Sequence, residues 1–257
     1  MHSTYQILTK LQRFTGFAFC AAVLCLSSAR AGVADEITVF AASSLRDALG
    51  TVAGEYRGET GVEVVLVFAA SSAIARQVAQ GAPADAVLLA DEDWAEWLLD
   101  EGAIDRAIPF ASNRMVLVGA GVPQVSAQDL ADLLRDELIA MGQVDAVPAG
   151  RYGKAALAAL GLWEQVQPRV IQAANVRAAL RYVERGEVAF GIGYASDLVA
   201  LPELSEVYGF APDTHPPIVY SGGHLTQQGA VFMDYLQSVI AQDILGDWGF
   251  SPMAEVP

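Results

Sequence analysis

The tightest constraint on this chain is a unit that recurs: a short apolar run, a cluster of small residues, then an amphipathic helical pattern. Ile37 to Asp47, ITVFAASSLRD, is the first instance. Val64 to Phe68 with Ala69-Ala70-Ser71-Ser72 and a helix over Ala73–Gln80 is the second. Two more follow in the second half: Leu138 to Met141, then Val147-Pro148-Ala149-Gly150 and a helix over Tyr152–Leu160; and Val170 to Ala173, then Ala174-Asn175 and a helix over Val176–Glu184. Strand followed by helix, repeated, specifies parallel α/β sheets. The small residues leave the first helical turn uncovered, so its unpartnered N–H groups, which carry partial positive charge, stay open to an anion. One junction decides nothing, because Ser44 with Asp47 three residues on is also an ordinary N-cap box. Four junctions, two in each half, suit two α/β lobes facing across a cleft, with the ligand beyond the carboxyl ends of the strands.

The remaining pattern fits that division. Helices are expected over Leu45–Tyr56, Asp91–Leu99 and Asp129–Arg135, and strands over Ala86–Leu89, Arg114–Gly119 and Phe190–Tyr194. The continuous apolar run Val64–Phe68 predicts a strand buried on both faces. A strand at Ile218–Tyr220 and one helix over Gln228–Gln242 return to the first lobe. Lobe I then comprises residues 32–112 and 220–257, and lobe II residues 113–219, with a short hinge. Trp94 and Trp97, three apart on one helical face, belong to the core.

Residues 1–31 differ in kind. Lys10 and Arg13 precede an apolar run, Phe14 to Leu26, and Ala29-Arg30-Ala31 offers small residues at the cleavage positions, the form of a secretory signal peptide. The run is shorter than the roughly 20 residues a membrane span requires. Both cysteines, Cys20 and Cys25, lie in this segment, so the mature chain is expected to have no thiol, disulfide or cysteine metal ligand. The formal charge of the whole chain is -15; removing the signal takes three basic residues and no acid, leaving 12 basic against 30 acidic residues, or -18. Nucleic acid and anionic membranes are thereby excluded as partners. A small anion is not, because distant charges are screened beyond roughly 8 Å and local dipoles decide.

Catalytic patterns are scarce. There is no G-x-S-x-G elbow or phosphate loop, and His215 and His224 sit in turn-like surroundings without metal-ligand spacing. Lys154, Arg46 and Arg177 are solvated helix residues by default, and Asp91, Glu92 and Asp93 favour a helix start. The junction serines, the amides near Ala149 and Val176, and the phenol of Tyr194 at a strand end make a donor-rich, uncharged set. Such a set suits an oxyanion without a proton, since a protonated one also needs an acceptor.

The phrases ITVFAASSLRDAL, VFAASSAIARQVAQGAPADAVLLADEDWAEWL, VPAGRYGKAALAALG, NVRAALRYVERGEVAFGIGYASD and WGFSP resemble the periplasmic molybdate-binding proteins of ABC importers, over nearly the whole mature chain. The resemblance implies a type II periplasmic binding fold with two lobes closing on molybdate or tungstate in the interlobe cleft. It implies as ligands the hydroxyl and amide of Ser44 and of Ser71, the amides of Ala149 and Val176, and the hydroxyl of Tyr194, with no cofactor and no direct protein–metal bond. It further implies a periplasmic monomer that is not an enzyme, served by a membrane permease with its ATPase. Three departures accompany it: Gln143-Val144 where relatives carry Asp-Pro, Ser221 where proline is common, and Gly193 in place of a larger residue, which gives Tyr194 more freedom. A sulfate binder would use the same donors, and a hydrolase using Ser44 or Ser71 would need a base that the sequence does not place.

Overall fold

The computed structural model describes residues 35–253, so the signal-peptide segment lies outside the described residues. Two five-stranded sheets are formed. The first has the order β2-β1-β3-β10-β4, built from β1 (Glu36–Ala42), β2 (Glu63–Ala69), β3 (Ala86–Leu89), β4 (Ile108–Ser112) and β10 (Val219–His224). The second has the order β7-β6-β8-β5-β9, from β5 (Met115–Gly119), β6 (Ile139–Gly142), β7 (Val170–Ala173), β8 (Phe190–Tyr194) and β9 (Ser205–Gly209). The chain passes between sheets twice, at residues 113–114 and 210–218. Val219 pairs with Ser112, so the two crossing points are antiparallel neighbours. The ladder slips by a residue between Tyr220 and Ser221, a local kink of the kind a bulge introduces.

Within each sheet the helices follow from side-chain spacing. In α7 (Val176–Glu184) the residues Val176, Ala179, Leu180 and Val183 are buried, at the i, i+3, i+4, i+7 positions of one helical face. The helix α1 (Arg46–Thr60) buries Ala48, Leu49, Val52 and Tyr56 and stops at Gly61, whose φ of 76° lies in the left-handed region that favours glycine. The helices α2 (Ser71–Ala79), α3 (Glu92–Asp100), α4 (Ala127–Leu133) and α5 (Pro148–Ala159) likewise follow the expected strands, and α6 is a short turn at Trp163–Val166.

Several expectations are corrected. The strand β2 lies at a sheet edge, and Val65 is exposed; an apolar run on an edge strand has the same composition as one in a sheet centre. The strand β4 was masked by Pro109, which cannot donate to a ladder; it is tolerated because β4 ends its sheet and pairs only with β10. The strand β9 and the helix α8 (Ala195–Ala200) are too short for periodicity to announce. The single helix expected over Gln228–Gln242 is two, α9 (Gln227–Leu236) and α10 (Val239–Asp247), because Ser238 starts a new one by accepting from the Ala241 amide. His224 closes β10 instead of lying in a turn.

The GAPAD segment joins the first sheet to the C-terminal part. The Asp85 carboxylate accepts from the Thr38 amide of β1 at 2.8 Å and from the Thr226 hydroxyl at 2.7 Å, and its carbonyl accepts from the Leu225 amide. Gly229 packs so closely here that an added Cβ would meet the Asp85 carbonyl oxygen at 1.8 Å.

Candidate functional site

The two junction serines are not helix caps. Ser44 lies within a single 3₁₀ turn, Ser43–Leu45, whose preceding residue is Ala42, and Ser71 is the first residue of α2 behind Ala70; neither helix start has a side-chain cap. Each hydroxyl oxygen instead accepts a hydrogen bond from within the protein. The Tyr220 hydroxyl, carried on β10, donates to Ser44 Oγ at 2.9 Å, and the Ala90 amide, just past β3, donates to Ser71 Oγ at 2.9 Å. A hydroxyl has one hydrogen and two lone pairs. With a lone pair held by an internal donor, each serine keeps its own hydrogen for a ligand.

The second sheet supplies the opposing wall. The helix α5 begins Pro148-Ala149 behind Val147; proline has no N–H, so Ala149 presents the first amide. The approach is tight, since a Cβ at Gly150 would meet the Gly142 carbonyl oxygen at 2.2 Å. Asn175 caps α7 by accepting from the Ala178 amide at 2.9 Å, which leaves the Val176 amide at the helix tip. The amides of Ser44, Ser71, Ala149 and Val176 enter no cap, turn or inter-element backbone bond among the described residues.

Tyr194 ends β8 and is fully buried. Its amide donates to Asp197 Oδ2 at 3.0 Å, while its hydroxyl has no hydrogen-bond partner among the described residues. Its ring meets Tyr220 edge-on at 5.8 Å, and Tyr220 packs edge-on against Phe250 at 5.2 Å, so an aromatic column orients both phenols. Burial, followed by neighbouring phenols and carboxylates, pushes the Tyr194 hydroxyl well above its ordinary range; it stays a neutral donor. Gly193 does not loosen it, because Leu180 and Asp197 already fill the space a side chain would take.

Ser44, Ser71, Ala149, Val176 and Tyr194 line one cavity, together with Ala42, Ser43, Ala70, Ala90, Val147 and Pro148. Its volume is about 10 Å³, far below the several hundred Å³ of a metabolite pocket. No ionisable group other than the Tyr194 phenol lines it. Three helix starts, of α2, α5 and α7, contribute to its wall, each with the partial positive charge of its free amides. Chemically, such a lining suits one small anion that accepts hydrogen bonds and offers none. No group of three or more His, Cys, Asp or Glu capable of holding a bare metal ion occurs among the described residues.

Around the cavity lies a charged frame that sequence reasoning missed. Arg177 is largely buried, with its guanidinium 2.8 Å from Asp47 of α1 and 2.7 Å from the fully buried Asp197. The contacts are ion pairs by distance, although the N–H vectors are not aimed for hydrogen bonds. Burial raises the Asp197 carboxyl above its usual range, opposed by Arg177 and the Tyr194 amide. On another side, Asp91 caps α3, is almost fully buried, and pairs with Arg151 of α5 at 3.2 Å; Arg151 also reaches Asp93. Burial pushes the Asp91 carboxyl up to about 7, against the Trp94 amide and Arg151. The Trp94 indole donates to the Ala146 carbonyl at 3.1 Å. The Arg177–Asp47, Arg151–Asp91, Arg151–Asp93 and Trp94–Ala146 contacts each join an element of the first sheet to one of the second, while Arg177–Asp197 lies within the second. A basic residue in a first turn gives no local signal that its partner lies across a cleft.

Two α/β sheets linked by two crossing segments, with a small cavity walled by helix starts from both, define the type II periplasmic binding fold. The chain belongs to the bacterial extracellular solute-binding protein family, whose model matches residues 37–251. Among its relatives, the molybdate-binding protein ModA of Escherichia coli is 38% identical over 91% of this chain and 96% of its own. The ModA of Haemophilus influenzae is 36% identical over 84% and 90%. The solved structure of the Azotobacter vinelandii periplasmic molybdate-binding protein superposes with a TM-score of 0.77 over 85% of this chain and 100% of its own, at 22% identity.

Proposed function

We propose that the protein captures molybdate or tungstate as an intact oxyanion in the periplasm and delivers it to an ABC importer, a permease with its ATPase. The observation that carries this reading is the cavity: four helix-start amides, two hydroxyls with lone pairs already held, and one unpartnered phenol, with no carboxylate or cation among them. The molybdate-binding relatives support the choice of anion. In this reading Ser44, Ser71, Ala149, Val176 and Tyr194 are the ligands. Residues 1–31 are a signal removed on export, 32–112 with 220–257 form lobe I, and 113–219 form lobe II.

The anion closes the protein because it bonds both walls at once and so favours the closed state by differential contact. Each hydrogen bond to a charged group contributes roughly 1.5–3 kcal/mol, so several in a dry cavity reach submicromolar affinity. The protein acts as a monomeric carrier and not as an enzyme: Ser44 and Ser71 are bonded by a phenol and an amide, neither of which is a base able to activate a nucleophile. Calorimetric titration of residues 32–257 with molybdate, tungstate, sulfate and phosphate tests the reading. Tight one-to-one binding of the first two alone is expected; tight sulfate with weak molybdate would assign the site to a smaller oxyanion. A dissociation constant for molybdate above the millimolar range would refute the proposal.

A further inference from the structure

Beside the cavity lies a second concavity, of about 360 Å³, lined by Arg46, Arg177, Arg181, Glu184, Arg185 and Leu201. Four arginines in one groove stand out in a chain with 15 basic against 30 acidic residues. Arg177 and Arg181 of α7 and Arg185, its C-terminal cap residue, follow one another at spacings of four, which stacks like charges on one face and disfavours the helix itself. Arg177 is neutralised by Asp47 and Asp197, and Arg185 lies 3.7 Å from Glu187. Arg46 and Arg181 are exposed and have no carboxylate within ion-pair distance among the described residues. The Arg46 guanidinium is held over the Phe68 ring, 4.9 Å from its centroid.

The groove borders the cavity through the chain itself. Arg46 follows Ser44 by two residues, Arg177 follows Val176 by one, and the Arg177–Asp47 pair ties the starts of α7 and α1 together across the two sheets. A dianion approaching the mature protein, with 12 basic against 30 acidic residues, is repelled. The neutral cavity offers only helix-start dipoles, which fade within a turn, while an unneutralised guanidinium acts over a Debye length of roughly 8 Å.

We infer that the arginine groove is an outer docking site for the incoming oxyanion, which concentrates it at the mouth of the cleft and speeds capture without entering the final complex. The inference rests on the proposed oxyanion function. Arg46 and Arg181 supply the attraction, and Arg177 positions the two helix starts.

Stopped-flow mixing of the mature protein with molybdate, followed by tryptophan fluorescence, tests it, because Trp94 bridges the two sheets at Ala146. The double variant Arg46→Gln/Arg181→Gln changes only exposed side chains. Its association rate at low ionic strength is expected to fall about tenfold, at the modest end of steering effects. Its dissociation rate should be unchanged, and its rate should merge with that of the parent at about 0.5 M salt, where screening is strong. Arg46→Lys/Arg181→Lys should keep the parent rate. Arg57→Gln/Arg135→Gln, which alters net charge equally outside the groove, should lose little. An unchanged association rate in the first variant overturns the inference, as does an equal loss in the remote one, or a faster dissociation that would make the arginines part of the final site. If the parent itself binds no molybdate, tungstate or sulfate, the proposed function fails instead.

Discussion

Replacing Tyr194 by phenylalanine separates binding from folding at one atom. The hydroxyl is buried, held protonated, and has no partner among the described residues, while the ring packs on Tyr220. Tyr194→Phe keeps that packing and removes only the donor. A hydrogen bond to a charged partner is worth roughly 1.5–3 kcal/mol, so affinity for molybdate should fall roughly 10- to 150-fold. Leaving a buried polar group unpaired costs about 1–3 kcal/mol, so without ligand the variant should be as stable as the parent or more so. Calorimetry for the anion and urea unfolding without it measure the two effects in one preparation. Unchanged affinity would remove Tyr194 from the site, and a loss of ligand-free stability matching the loss of binding would make its hydroxyl structural.

The serines should differ from this tyrosine. Ser44→Ala strands the buried Tyr220 hydroxyl as well as removing a ligand, so it should lower both affinity and ligand-free stability, the latter by about 1–3 kcal/mol; adding Tyr220→Phe should restore the stability and leave the affinity low. Arg177→Gln leaves Asp197 buried without its counter-charge and should destabilise the fold by about 3–5 kcal/mol in urea, with Arg177→Gln/Asp197→Asn recovering most of it; a loss under about 1 kcal/mol would place the pair in solvent-like surroundings. Asp91 has a folded pKa of about 7, above its ordinary 3.8, because burial outweighs Arg151 and the Trp94 amide. Its neutral form therefore favours folding below pH 4, and that contribution is lost as pH rises toward 7, at about 1.4 kcal/mol per pKa unit. The urea stability of the parent relative to Asp91→Asn should thus decline between pH 4 and 7, and a flat difference would refute the assignment.

How much of this was legible in the sequence follows from which interactions are local. The strands β1, β3, β6, β7 and β8 and the helix α7 were readable because period and small-residue junctions are properties of neighbouring residues. Four of the five candidate ligands, Ser44, Ser71, Ala149 and Val176, stood out for the same reason: a junction amide is exposed by the residues beside it, whatever the rest of the chain does; Tyr194 had only its place at a strand end, and the resemblance completed the set. The strand β4 was hidden by Pro109, whose harmlessness depends on an edge position that no local pattern encodes. The break at Ser238 was hidden because helical periodicity runs through it.

By itself, then, the sequence determined the α/β class, the recurring junctions and the uncharged chemistry of their donors. Tertiary structure alone decided that β10 returns to the first sheet, that Tyr220 reaches Ser44 across 176 positions to set the direction of its hydrogen, and that Arg177 binds Asp47 and Asp197. It also decided that the four junctions, far apart in the chain, wall one small cavity. Local steric and hydrogen-bonding preferences act between neighbours and leave a periodic trace. Pairings over long separations are chosen by the burial of the whole chain, and leave none.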